Sequence, residues 1–162
     1  MTQTHIHLLI THLPIFGSIL GGLVLAHGLW TKSLHTKIAA YNVLIISAAG
    51  AAIAYLTGEA AEETVENIQG IAKSTIDAHE DFAVVALVGL IIVGVASMVG
   101  IYLTLKKSTH TRTAAIVILG ISLISFGLVA RTGYLGGQIR HTEINSTIVT
   151  NTEQAGESDD DD

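Results

Sequence analysis

Cysteine is absent from the 162 residues. That excludes disulfides, iron–sulfur clusters, thiolate zinc sites and the thioether attachment of c-type haem, so any haem here is held noncovalently. Charge is scarce, at 14% of residues, and its balance is acidic, a formal −6. A phosphate backbone needs a basic face; none occurs, and nucleic acid is excluded as a partner. Gly-x-Ser-x-Gly, His-Glu-x-x-His and P-loop motifs are all missing, which argues against hydrolase and nucleotide-dependent chemistry and against an independent enzyme. Proline occurs once, at Pro14, and aromatic residues make up only 5%.

Apolar residues fill the space that these absences leave. They make up 49% of the chain, with a mean hydropathy of +0.56, too apolar for an ordinary soluble domain. Four runs stand out, over residues 8–30, 38–57, 82–105 and 114–135. At about 1.5 Å per residue each reaches roughly 30 to 36 Å, enough to cross a ~30 Å hydrocarbon core. A soluble bundle would alternate apolar and charged faces, whereas these runs hold a single charged residue, Arg131. They also lack the polar rings that line a channel.

The sequence therefore predicts an all-α, four-helix transmembrane bundle over residues 1–144, with an acidic tail, 145–162, too polar to fold. The first and third connections carry Lys32, Lys37, Lys106, Lys107 and Arg112 and no acid, which marks them as cytoplasmic. The N-terminus, the segment after Gly58 and the tail then share the opposite side, the periplasm of a bacterium. No Lys or Arg precedes the first run and no small-x-small cleavage site follows it, so this opening reads as retained rather than as a signal peptide. Glu59, Glu62, Glu63 and Glu66 fall at helical spacing, and Ile68, Ala72 and Ile76 form an apolar stripe, the pattern of a short periplasmic helix between the second and third spans. Its glutamates read as a solvated face, and Asp77, Glu80 and Asp81 as N-terminal acids of the third span.

Helix parity brings His7, His12, His79 and His141 to the same membrane face, and leaves His27, His35 and His110 at the other. Pro14 either opens the first helix, leaving His12 at the rim, or kinks a helix that began earlier. Arg131 lies near the end of the fourth run, one turn beyond Gly127, and Thr132-Gly133-Tyr134-Leu135-Gly136-Gly137 leads to Arg140 and His141. A cation in that position can snorkel to the interface, but two arginines, paired glycines and a histidine at one rim also suit a flat anionic ligand.

The spacing His7-x-x-x-x-His12-x-Pro14, the Thr57-Gly58 pair, His79, and Thr132-Gly133-x-x-Gly136-Gly137 followed by His141 resembles the bacterial membrane family called domain of unknown function 2231. The likeness covers residues 6–141; it departs at Leu8, where that family often has proline. It implies four helices in the bacterial inner membrane and a haem-binding or respiratory association.

Three readings of the rim compete. A haem b carrier or respiratory-complex subunit would use two of His12, His79 and His141 as axial ligands, Arg131 and Arg140 for the propionates, and Gly136 and Gly137 for the ring. Its partners would be the lipid bilayer, other redox membrane subunits or a periplasmic cytochrome. A divalent-metal site would draw on His7, His12, His79 and His141 with a glutamate. A di-iron carboxylate centre is disfavoured, since Ile76 stands where its Glu-x-x-His pattern wants a carboxylate. In the third reading the histidines merely hydrogen-bond within an accessory subunit.

Overall fold

A computed structural model describes residues 2–65 and 73–140. It contains α1 (Gln3–Ile10), α2 (His12–Trp30), α3 (Leu34–Leu56), α4 (Gly58–Val65), α5 (Lys73–Leu105) and α6 (Thr111–Arg140), and no strand among the described residues. Four spans, with α1 and α2 counted as one, are long and apolar enough to cross a membrane. The all-α, four-span architecture expected from the hydropathy pattern is the one observed, and the chain is read below as a multi-pass membrane protein.

Pro14 explains the first two elements. It has no N–H for the carbonyl of Ile10, so the hydrogen-bond ladder is interrupted, and the chain bends at Thr11 between α1 and α2. The helix therefore begins well before the proline, with Thr2 accepting from the backbone N–H of His5 at 3.4 Å as its N-cap. Of the two roles open to Pro14, it takes the kink.

The spans close into a ring: α2 packs on α3 and α6, α3 on α5, and α5 on α6. Lipid tails are as apolar as leucine, so helices associate through close packing rather than escape from water. Small residues permit it. A Cβ on Gly17 would stand 2.8 Å from that of Ser47, and one on Gly21 would stand 2.6 Å from Leu44 Cδ2, so α2 and α3 meet only because these glycines present bare backbone. Ser47 Oγ then reaches the Pro14 carbonyl at 3.2 Å. One core cluster gathers Leu25, Tyr41, Leu44, Val93 and Ile118; a second, with Ala51, Ala86, Leu90 and Val129, lies nearer the histidine end. Outward-facing positions are apolar, Leu23, Ile124 and Leu105 among them. Exposed Trp30 and Tyr102 lie toward one end, and Tyr55 and Tyr134 toward the other, as interfacial aromatics do.

The polar margins depart from expectation. α5 starts at Lys73, a turn before the acids Asp77, Glu80 and Asp81 that were expected to open it, and α6 runs to Arg140, beyond the apolar run that ends at Leu135. Ile76 belongs to α5, where it is buried, not to the acidic helix, of which Gly58–Val65 is described as α4. Hydropathy marks only the part of a helix that lies in lipid, whereas backbone hydrogen bonding continues beyond it. Residue 1, residues 66–72 with Glu66, Ile68 and Ala72, and residues 141–162 with His141 and the tail fall outside the described residues.

Candidate functional site

His7 stands on α1, which packs against α3 and α4. The last four carbonyls of a helix have no partner in the helix itself, and that of Ala54 is one of them in α3. His7 Nδ1 donates to it at 2.8 Å. Thr57 Oγ1 lies 3.4 Å from the same nitrogen and also bonds the Ile53 and Ala54 carbonyls. The Thr57-Gly58 pair thus closes α3 where the His7 ring rests, with a Cβ on Gly58 falling 3.6 Å from His7 Cε1.

His79 sits inside α5, not at its margin, because that helix begins at Lys73. Its Nδ1 donates to the Thr132 carbonyl of α6 at 3.0 Å. Four residues on, Gly136 lies on the same side of α6, and a Cβ there would stand 3.1 Å from His79 Cε1. Gly136 therefore provides the space for the imidazole.

These two bonds settle a proton position. A carbonyl oxygen can only accept, so each Nδ1 carries the hydrogen, and in a neutral ring Nε2 is left with its lone pair. Both rings are half-buried. Two imidazoles, from α1 and α5 and fixed by α3 and α6, thus share one end of the bundle. Among the described residues each has an uncommitted nitrogen, Nε2.

The other expected residues are distributed differently. His12 reaches the same end of the bundle but is exposed; its Nδ1 turns back to Leu8 of its own chain segment at 3.1 Å, and its ring stacks on Phe16 at 6.4 Å. Five residues separate His7 from His12, about 140° of rotation at 100° per residue, so the pair cannot share a helical face. A Cβ on Gly137 would meet no atom within 4 Å. Arg131 points outward: it stands five residues before Gly136, again about 140° around α6, and its guanidinium lies 5.6 Å from the Phe82 ring and 5.4 Å from the Tyr134 ring. Arg140 is the last residue of α6. His27 and His35 lie in the helix ends beside the first connection, and His110 just precedes α6, at the opposite end from His7 and His79.

Glu59, Glu63, Asp77 and Asp81 are exposed, as a solvated face and a set of N-terminal acids should be, and one pair among the acids interacts. Glu62 of α4 hydrogen-bonds Glu80 of α5; that bond, then partial desolvation, then the charges of Glu80 and Asp77 push the Glu62 carboxyl above its usual range, while Lys73 opposes them. Among the described residues no three His, Asp or Glu side chains converge as ligands of a metal ion would. Ala54 and Thr132, the two carbonyl anchors, carry no signal in an amino-acid string. The i, i+4 pair Thr132 and Gly136 was visible, though not what it would hold.

No family model, curated protein or solved structure matches this chain. The likeness to domain of unknown function 2231 rests on its short motifs alone.

Proposed function

We propose that the protein is a membrane electron carrier, or a membrane subunit of a respiratory complex, that holds one haem b noncovalently between His7 and His79. The observation that carries this reading is the double anchoring of Nδ1, which leaves both Nε2 atoms available. A ligating histidine characteristically donates its other nitrogen to a carbonyl or carboxylate, which orients the ring and raises its basicity. Donor count favours haem over a bare ion. A porphyrin supplies four equatorial nitrogens and needs only one or two protein ligands, whereas zinc or copper draws three or four from the protein. Bound there, haem would supply one-electron transfer between ferric and ferrous iron. The chain's own part is to fix both imidazoles from four different helices.

Of the three histidines expected to supply two ligands, His12, His79 and His141, the proposal keeps His79 and adds His7; His141 lies outside the described residues. Orientation completes the proposal: five Lys/Arg in the two short connections set that end in the cytoplasm, and the histidine end, with both chain ends, in the bacterial periplasm. There a redox subunit or a periplasmic cytochrome could exchange electrons with it. The likeness to domain of unknown function 2231 points the same way.

A second reading has an observation of its own. His7 bonds the Ala54 carbonyl at the end of α3, which Thr57 Oγ1 also reaches, and His79 ties α5 to α6, so both rings could act only as interhelical clamps. An absorption spectrum of the full-length protein, purified after expression with excess haem precursor, separates the two. The haem reading expects a Soret band that shifts and a sharp α band that appears on adding dithionite. A folded protein with neither band supports the clamp.

A further inference from the structure

Arg131 is the one cation within the four apolar runs, and the histidine pair does not use it. It projects from the outer face of α6, exposed, between Phe82 and Tyr134; among the described residues no acid pairs with it. A guanidinium at the edge of a hydrocarbon layer is costly without a counter-anion, and two aromatic faces hold it in place without neutralising it. Gly127 and Gly120 stand four and eleven residues before it, on the same side of α6, and a Cβ on either would meet nothing within 4 Å. At 1.5 Å per residue the two glycines lie about 6 and about 16 Å deeper along the helix, two open notches on either side of the exposed Ile124 on the face that leads inward from the cation.

We propose that this face is a binding site for one anionic phospholipid of the leaflet at the histidine end. Its phosphodiester pairs with Arg131 between the Phe82 and Tyr134 rings, and one acyl chain lies along Gly127 and Gly120. A planar fork of N–H donors suits phosphate oxygens. A second copy of the chain suits the face less well: a twofold interface sets a patch against itself, which would oppose one Arg131 to another with no acid to separate them. The site is independent of the haem reading, since it shares no side chain with it.

The test is native mass spectrometry of the full-length protein released from nanodiscs of equal parts phosphatidylglycerol and phosphatidylcholine. The parent is expected to retain one phosphatidylglycerol through activation that strips the rest. Arg131→Gln should lower that retention at least fivefold, and Gly127→Ile, which fills its notch and leaves the cation in place, should lower it too. Equal retention by the parent and both variants overturns the proposal. So does a dimer that survives delipidation of the parent and is lost in Gly127→Ile, which would assign the face to a second copy. Displacement of the retained lipid by millimolar inorganic phosphate would also overturn it, by assigning Arg131 to a free anion.

Discussion

Gly136 and Gly137 look alike in the sequence, and the structure separates them. A methyl on Gly136 would press on the His79 ring at 3.1 Å, whereas one on Gly137 meets nothing. Gly136→Val is expected to destabilise the bundle by about 1 to 3 kcal/mol, the usual range for overpacking a fitted site, and to displace the imidazole from the Thr132 carbonyl. Gly137→Ala should be close to neutral. Thermal unfolding in detergent measures the first effect, and haem occupancy measures the second. Residue-scale legibility was uneven for the same reason. Helix parity placed His79 at the right membrane face, but its anchor is a main-chain carbonyl 53 positions away, which no side-chain pattern records. His12 attracted attention by standing beside Pro14; rotation about the helix axis then carried it to the outer surface.

Whole elements were readable where lipid imposes one rule on every position. The four spans follow from unbroken apolar runs, because a lipid-facing helix must be apolar along its length. Outside the hydrocarbon that rule lapses, which is why the first turn of α5 and the last of α6 were not recovered. The contact between α4 and α5 has a pH dependence. The folded state raises the Glu62 carboxyl above its usual value of 4.5, so its contribution is fully present below that value and is lost as pH rises through the raised one. Amide exchange over Gly58–Val65, corrected for intrinsic rates, is therefore expected to be slower at about pH 4 than at about pH 7. Glu62→Gln, which keeps a donor for Glu80 without titrating, should shrink that difference. Equal protection in the parent at both values would contradict the shared proton. At the α2–α3 contact, Gly21→Leu would drive a side chain into Leu44 and is expected to lower the unfolding temperature far more than Gly120→Leu, whose site is open.

At the scale of the molecule, the kinked first helix, the ring of four spans and the acidic connection all place His7 and His79 at one end. The proposed orientation predicts that alkaline phosphatase fused after residue 162 is active in a bacterial host, while a cytoplasmic fluorescent reporter there stays dark; the reverse pattern would turn the protein over in the membrane. The central claim, however, is the identity of the two ligands, and one series measures it directly. His7→Ala, His79→Ala, His12→Ala and His27→Ala are purified in parallel, checked for helicity, titrated with haem and read at the Soret band in the oxidised and dithionite-reduced states. The account predicts that His7→Ala and His79→Ala each lose or greatly weaken the six-coordinate spectrum, while His12→Ala and His27→Ala bind as the parent does. A parent-like spectrum from folded His7→Ala and His79→Ala, or its loss in His12→Ala alone, would contradict it.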